Sequence, residues 1–299
     1  MHNKIIKATI GALIGQSIFG FTFMFTKIAL GYASPMTIIA NRYIIAFLAM
    51  TIVMIATKKR VVLKGKNIPA LILMSVFQPT LYFVFETYGI SLTTTTFSSV
   101  MIALIPVVTL VCGIGILREL PSLWQCFFTV VSVSGVIIMA LQGKSEGTVT
   151  VAGILLLSGA VISAVGYNIL SRKISSDFSA FERTYAMAFI GMVSFVVVAL
   201  FENISHPAKI ITPLFNTEYL LSILFLGVVA SVGAFILINN ANTYLPVSKS
   251  TSFSCVTTVV SVLAGTLILR ESITPIGIIA SIMIIAGVLG VQLSKVKEM

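Results

Sequence analysis

The chain has 299 residues, of which 58% are hydrophobic and only 9% charged, and its mean hydropathy is +1.09. A soluble protein has roughly 25% charged residues, so this composition argues against a soluble domain or a disordered chain, and the expected solvent is a lipid bilayer. The net charge of +10 comes from short clusters between apolar segments and not from one basic face, which argues against nucleic acid as a partner.

Ten apolar segments are long enough to cross a bilayer as helices, which takes about 20 residues. Pro79 and Pro106 fall inside two of them and should bend those helices. The first segment exceeds the roughly 7–15-residue core of a cleaved signal peptide, so we expect an uncleaved first helix. The ten segments are 7–30, 36–57, 68–90, 95–117, 122–141, 151–171, 180–201, 219–241, 246–269 and 274–294.

One stretch of the chain occurs twice. Residues 98–140 recur without a gap as residues 250–292, and both copies consist of an apolar helix, the sequence ILRE (116–119 and 268–271) and a second apolar helix. Gly135 and Gly287 are one of the matched pairs. Such duplication in an apolar chain is typical of transporters built from structural repeats.

The earlier helices also repeat, at an offset of 142 residues that pairs Gly11 with Gly153 and Tyr43 with Tyr185. The predicted fold class is therefore an all-α membrane protein with ten transmembrane helices in two five-helix repeats, residues 1–147 and 148–299. Because five is odd, the second repeat must be inverted relative to the first. Inverted repeats place a substrate site near the midplane between the halves.

The lysines and arginines between the segments predict the orientation in the membrane. With the N-terminus inside, thirteen of them fall on the inner side and three, Lys144, Lys209 and Arg270, on the outer side. Positive loops stay in the cytoplasm, so both termini are predicted to be cytoplasmic and the chain to be a multi-pass protein of the plasma membrane.

Four ionisable residues fall well within the predicted spans: Lys27, Arg42, Glu86 and Lys249. Each costs about 2.5–3.5 kcal/mol at a helix centre, so positions facing lipid are not expected. Lys27, Arg42 and Glu86 lie at similar depth, and we hypothesise that Glu86 pairs with Lys27 or Arg42, either as a fixed ion pair or as a gate or coupling site. Lys249 could also extend its amine to the cytoplasm.

A polar stripe on the third helix predicts one wall of a cavity. Gln78, Tyr82 and Glu86 recur every four residues, which places them on one helical face. Interhelical hydrogen bonds are the alternative use of such groups. The full set of candidate cavity residues is Gln16, Phe19, Phe23, Gln78, Tyr82, Glu86, Tyr167, Asn168, Asn239 and Asn240.

Two weaker patterns leave alternatives open. Gly11 and Gly15 form a GxxxG motif, which marks either a homodimer face or close packing of helices within one chain. The run Thr93 to Thr96 suggests a helix start with hydroxyl caps or, near the midplane, the lining of a path. No enzyme motif, metal site or cofactor site is recognisable, and the two histidines, His2 and His206, are not spaced as a ligand pair.

The residues that carry a family resemblance are TKIALGYASPMTIIANRYIIAF at 26–47 and IPVVTLVCGIGILRE at 105–119, with the echo that ends in Glu271. They resemble the drug/metabolite transporter superfamily, ten-helix EamA type, over essentially the whole chain. The resemblance implies two inverted five-helix repeats around a central cavity lined mainly by helices 1, 3, 4, 6, 8 and 9. It also implies export of amino acids and other small metabolites.

The predicted function is secondary transport, in the export direction, of a small neutral or zwitterionic metabolite such as an amino acid, with that small molecule and the lipid bilayer as partners. A cavity of amides and aromatic rings with a single acid suits such a solute better than a phosphate, which would need several arginines or lysines. Two alternatives are an importer of a cationic amine such as choline, recognised by aromatic faces, and a non-transporting scaffold or sensor subunit.

Overall fold

The structure is a computed structural model that describes residues 2–109, 112, 122–145, 149–245, 250, 253–271 and 273–293, and every regular element in those ranges is helical. The first copy of ILRE (116–119), Lys249 and the C-terminal residues 294–299 lie outside the described residues. The main helices are α1 (His2–Ala29), α2 (Pro35–Ala56), α3 (Ile68–Ser91), α4 (Thr95–Thr109), α5 (Leu123–Ser145), α6 (Val151–Lys173), α7 (Ala180–Glu202), α8 (Thr217–Tyr244), α9 (Ser254–Leu267) and α10 (Pro275–Leu293).

Six of these helices, α1, α2, α3, α6, α7 and α8, are long and apolar enough to cross a membrane, and the other four contain shorter apolar stretches. The faces that point away from the bundle are apolar as well: Ile52 and Ile55 of α2 are 67% and 69% exposed. A large exposed apolar surface is stable only in contact with lipid. The chain is therefore a multi-pass membrane protein.

The two prolines that were predicted to bend helices do so. In α3 the wide π turn Val76–Leu81 contains Pro79, and the preceding residue Gln78 has extended backbone angles (φ −146°, ψ 117°). In α4 the helix is interrupted by a turn at residues 103–104, just before Pro106. Helix α8 contains a longer π segment, Phe225–Ala234, without a proline. Irregular backbone at membrane depth is stable where it is buried in protein or lines a cavity.

Side-chain caps fix where several helices begin. Ser34, Asn67, Thr94, Thr150 and Ser179 precede α2, α3, α4, α6 and α7, and each side-chain oxygen accepts a hydrogen bond from a backbone N–H of the first turn. These bonds satisfy N–H groups that have no partner within the helix. The predicted hydroxyl cap in the Thr93 to Thr96 run is thus confirmed at Thr94.

Glycines set the closest helix contacts. A Cβ atom on Gly287 of α10 would lie 2.6 Å from the backbone nitrogen of Ser132 and 2.7 Å from the carbonyl oxygen of Phe128, both in α5. In α1, Gly11 meets Leu237 and Gly15 meets Ile238, both in α8 of the same chain. The GxxxG motif of α1 therefore serves close packing within the chain.

Candidate functional site

A cavity lies between six helices, α1, α3, α4, α6, α8 and α9, the same six that the family resemblance implies. The volume of this cavity is about 70 Å³. Most of the lining is apolar or aromatic, with a few amides and hydroxyls. The lining residues are Gln16, Phe19, Thr22, Phe23, Gln78, Tyr82, Phe83, Glu86, Ile102, Ile105, Ala164, Tyr167, Asn168, Phe235, Ile238, Ser250, Ser254 and Thr257.

The polar stripe of α3 lies in this lining. Gln78, Tyr82 and Glu86 are 7%, 7% and 3% exposed, and all three border the cavity. The Tyr82 hydroxyl donates a hydrogen bond to Glu86 Oε1 at 2.8 Å. Although the chain is extended at Gln78, all three residues border the same cavity, so an amide, a phenol and a carboxylate lie on one wall.

The α1 wall combines one amide with aromatic rings. The Thr257 hydroxyl of α9 donates to Gln16 Oε1 at 2.6 Å and lies 2.8 Å from the Gln16 backbone oxygen, which ties α9 to α1. Phe19 lies edge-on to Phe235 of α8, with ring centroids 5.0 Å apart. Phe23 is 1% exposed and completes this wall.

The asparagines predicted for the cavity fall into two groups. Asn168 borders the cavity, and Asn242, which the sequence did not single out, links it to Ser250: Asn242 Nδ2 donates to Asn168 Oδ1 at 3.3 Å, and Ser250 Oγ donates to Asn242 Oδ1 at 2.6 Å. Asn239 and Asn240 do not line the cavity.

Asn239 is fully buried behind the cavity lining. Its Oδ1 accepts from the hydroxyls of Tyr167 at 3.1 Å and Ser171 at 2.9 Å, and its Nδ2 donates to Thr184 Oγ1 at 3.0 Å. Asn239 thus orients the cavity residue Tyr167. Asn240 is half-buried on another face of α8.

The charged residues do not form the hypothesised ion pair. Across the described residues, Glu86 has no N–O contact within 4.0 Å to Lys27 or Arg42. Arg42 Nε instead donates to Ser231 Oγ at 2.8 Å, and its guanidinium carbon lies 3.9 Å from the ring centroid of Phe83. Arg42 and Glu86 still interact electrostatically across the gap that separates them.

Lys27 binds the C-terminal end of α3. Its Nζ donates to the carbonyl oxygens of Ile90 at 3.1 Å and Thr93 at 2.7 Å. The last carbonyls of a helix have no partner within it and carry partial negative charge, so a cation there is stabilised. Ile90 and Thr93 thus supply the compensation that this intramembrane lysine needs.

A further buried cation, Arg183, is one of the thirteen basic residues that the sequence places on the inner side of the membrane. It is 0% exposed in the first turn of α7, where Nη1 donates to Ser171 and Nη2 to Asn239 and Thr243. Its neighbour Arg172 donates to the carbonyl oxygens of Asn242 and Thr243 at the end of α8. Sequence reasoning missed Arg183 because a position near a helix end does not reveal burial.

An apolar helical bundle that encloses a mostly apolar cavity with a few convergent polar groups has the architecture of a membrane transporter for small molecules. The described residues contain no group of three or more His, Cys, Asp or Glu side chains that could hold a metal ion. The sequence model of the EamA-like transporter family matches residues 6–141 and 151–293. The chain belongs to this family, whose members are transporters and not enzymes.

Individual relatives agree with this assignment. The chain is 31% identical over 297 residues to "Uncharacterized transporter YcxC" of Bacillus subtilis (strain 168), covering 97% of this chain and 94% of that protein. It is 24% identical over 288 residues to "Uncharacterized transporter YetK" of the same organism, covering 95% and 84%. A chain of known crystal structure superposes with a TM-score of 0.67 at 15% identity, over 96% of this chain and 98% of that one, which shows a shared fold.

Proposed function

We propose that this membrane transporter is a secondary transporter that exports small neutral or zwitterionic metabolites, amino acids first among them, by alternating access. The observation that carries the proposal is the composition of the cavity lining. Among the described residues that line the cavity, Glu86 is the one with a charged side chain. Phosphates and other polyanions would need several cationic ligands there. Apolar rings with an amide, a phenol and one carboxylate suit an amphipathic solute. The export direction rests on the family resemblance.

The same lining favours one second candidate, uptake of a cationic amine such as choline. Glu86 would neutralise the positive charge, and the aromatic residues Phe19, Phe23, Phe83 and Phe235 border the same space. Ring faces attract quaternary ammonium groups. The two candidates differ in whether the substrate also carries a carboxylate.

The architecture that we propose is ten transmembrane helices in two inverted repeats, residues 1–147 and 148–299. Six long and four shorter apolar helices in the described ranges support the count, and the family model matches 6–141 and 151–293 separately. Repeat-equivalent helices also share a feature: α3 and α8 are third in their halves, and both contain a π segment.

Reciprocal contacts between α5 and α10 support the inversion. A Cβ on Gly135 would meet Ala280 and Ile284, and one on Gly287 would meet Phe128 and Ser132. Ala280 and Ile284 follow Phe128 and Ser132 by 152 residues, the offset that also relates the two glycines. Such reciprocity is the mark of a two-fold axis. As residue numbers rise along α5, the numbers of the contacting residues in α10 fall, so the two helices run antiparallel. The two-fold axis that relates them is therefore perpendicular to both.

We propose that the protein lies in the plasma membrane with both termini in the cytoplasm. Lysines and arginines on the loops near the start of α1, between α2 and α3 and between α6 and α7 support this assignment. Lys66 and Glu182, whose Nζ and Oε1 atoms are 2.8 Å apart, then form an ion pair at the cytoplasmic end of the bundle.

Two contacts between a basic side chain and the end of a helix, one at each end of the bundle, support alternating access. Lys27 of α1 binds the carbonyls that end α3, and Arg172 of α6 binds those that end α8. In the proposed repeats α1 is equivalent to α6 and α3 to α8, so the two contacts are related, one at each membrane face. Breaking one while keeping the other would open one end of the cavity.

Transport by the purified protein in proteoliposomes tests the proposal. We expect saturable uptake of one or more radiolabelled neutral amino acids, inhibited by the unlabelled compound and absent from empty liposomes. Uptake of choline without any amino acid would favour the second candidate. Transport of a phosphorylated solute alone would contradict both, because the lining offers no cationic ligand among its described residues.

A further inference from the structure

Arg42 is a buried cation with unused hydrogen-bonding capacity. Its side chain is 1% exposed, and Nη2 has no hydrogen-bond partner among the described residues. The equally buried Arg183 uses both Nη atoms, and only its Nε has no partner among the described residues. A buried guanidinium N–H without an acceptor is costly, and its strongest partner is a carboxylate, which it binds with two parallel hydrogen bonds.

The ring of Phe83 packs on the Arg42 guanidinium and also borders the cavity. Phe83 belongs to the lining, Arg42 does not, and the guanidinium carbon lies 3.9 Å from the Phe83 ring centroid. Movement of this one side chain would therefore give the Arg42 guanidinium access to the cavity.

Glu86 follows Phe83 by one turn on α3 and borders the same cavity. The Tyr82 hydroxyl orients its carboxylate, and the carboxylate attracts Arg42 without touching it. A cation, Arg42, and an anion, Glu86, thus lie near each other without forming an ion pair. Glu86 borders the cavity, and Arg42 lies outside the lining. An α-amino acid has the complementary arrangement, with a carboxylate and an ammonium group on one carbon.

We propose that Arg42 and Glu86 together recognise the head group of an α-amino acid. Arg42 binds the carboxylate after Phe83 turns away, and Glu86 binds the ammonium group. The substrate side chain then lies against the apolar part of the lining, near Phe19 and Phe235. This assignment rests on the proposed function and specifies it, since it requires a zwitterion with an apolar side chain.

Binding to the purified full-length protein tests the assignment with matched ligand sets. One set is leucine, isopentylamine, which lacks the carboxylate, and 4-methylpentanoate, which lacks the amine; the other is phenylalanine, phenethylamine and 3-phenylpropanoate. Titrations of thermal stabilisation give the affinities. We expect the wild type to bind an amino acid about 10- to 100-fold tighter than either analogue, as expected for loss of a charge-assisted contact.

Variants then assign each contact. Arg42→Gln should weaken binding of the amino acid by this roughly 10- to 100-fold factor. The affinity for the amine should change by no more than about twofold, because the amine has no carboxylate for Arg42 to bind. Arg42→Lys should restore part of the loss, since charge is kept and the bidentate geometry is not. Arg183→Gln is the matched control: it removes a buried arginine outside the lining and should lower stability without changing the preference for amino acid over amine.

Each outcome decides between the assignment and the broader function. Equal losses for amino acid and amine in Arg42→Gln, or a wild type that does not distinguish them, would overturn the assignment while amino-acid transport stands. Proteoliposomes that transport a cationic amine or a phosphorylated solute, and no neutral or zwitterionic metabolite, would remove the proposed function itself. If Arg42→Gln does not fold, Glu86→Gln gives the mirror test: it should weaken the amino acid and the amine but not the carboxylic acid.

Discussion

The rings of Phe47 and Phe189 meet across the contact between α2 and α7, with centroids 5.6 Å apart and ring planes inclined by 52°. These residues are 142 positions apart, the offset that also pairs Tyr43 with Tyr185. A residue that packs against its own repeat equivalent lies next to a two-fold axis. Tyr43 meets Phe195 while Phe47 meets Tyr185, so the two helices run antiparallel. Repeat-equivalent helices of opposite direction are what an inverted repeat requires.

Labelling of exposed loop positions tests this topology. Lys64, between α2 and α3, and Lys209, between α7 and α8, are both exposed. In a variant without the three native cysteines, we expect Lys209→Cys to react with a membrane-impermeant maleimide in intact cells. Lys64→Cys should react only after the membrane is permeabilised, because its loop is predicted to be cytoplasmic. Labelling of both positions from one side would contradict the inverted arrangement.

Gly287 tests how closely α5 and α10 must approach. Gly287→Ala places a Cβ within 3 Å of the α5 backbone, which has to move, and should cost about 1–3 kcal/mol of stability. Gly233→Ala in α8 is the matched control, since its Cβ would find no heavy atom nearer than 3.9 Å. Thermal unfolding in detergent measures both. Equal melting temperatures for the two variants would show that this contact can relax.

The helices and their bends were readable from the sequence because apolar length and proline act locally. The segment predicted at 68–90 is found at Ile68–Ser91, with its break beside Pro79. The face of α3 that carries Tyr82 and Glu86 also followed from spacing alone, because helical periodicity fixes which side chains share a face.

Partners across helices were not readable, because they depend on how helices pack. Asn239 and Asn240 look alike in the sequence, yet Asn239 bonds Tyr167 behind the lining and Asn240 lies on another face of α8. Arg42 lies against Phe83 and Ser231, and not in an ion pair with Glu86. Opposite charge and similar depth in the membrane suggested that pair, but packing places the cation against an aromatic ring.

Glu271, in the second ILRE copy, caps the start of α4. Its two carboxylate oxygens accept from the backbone N–H groups of Thr95 at 2.7 Å and Thr96 at 3.0 Å. A carboxylate at a helix N-terminus is favoured by unpaired N–H groups and the helix dipole. Glu271→Ala should therefore lower stability by about 1–2 kcal/mol, measured by thermal unfolding.

The matched control for Glu271 is another glutamate that accepts a hydrogen bond at an exposed site. Glu218 accepts from the Tyr32 hydroxyl, and we expect Glu218→Ala to change stability by less than about 0.5 kcal/mol. Glu271→Gln keeps one acceptor oxygen and should fall between wild type and Glu271→Ala. A Glu271→Ala variant as stable as wild type would mean that water replaces the cap at no cost.

Loss of the Lys27 cap should shift the conformational equilibrium. Lys27→Met removes two hydrogen bonds that hold α1 to the end of α3, and bonds from a charged donor contribute about 1.5–3 kcal/mol each. We expect a reporter cysteine at the cavity residue Thr22 to react about tenfold or more faster from outside. Arg172→Met, which weakens the opposite end, should slow that reaction. If the reporter cysteine reacts at the same rate in both variants, the contacts of Lys27 and Arg172 do not control access to the cavity.

Glu86 is the one carboxylate in the described lining, so it is the candidate for coupling protons to transport. Whether a buried carboxylate holds a proton depends on the distance to nearby charge, here Arg42, and on the hydrogen bond from Tyr82. Alternating access changes such distances. We therefore propose that Glu86 binds a proton when the cavity is open to one face of the membrane and releases it when the cavity is open to the other.

Glu86→Gln keeps the size and the hydrogen-bonding capacity of the side chain but does not titrate. We expect this variant to lose accumulation driven by a proton gradient and to keep exchange at saturating substrate, both measured in proteoliposomes. Glu202→Gln is the control, because Glu202 bonds Ser34 and Tyr88 away from the cavity and should leave accumulation unchanged. Accumulation by Glu86→Gln with the pH dependence of the wild type would exclude Glu86 as the coupling residue, and its charge would then serve substrate recognition and packing alone.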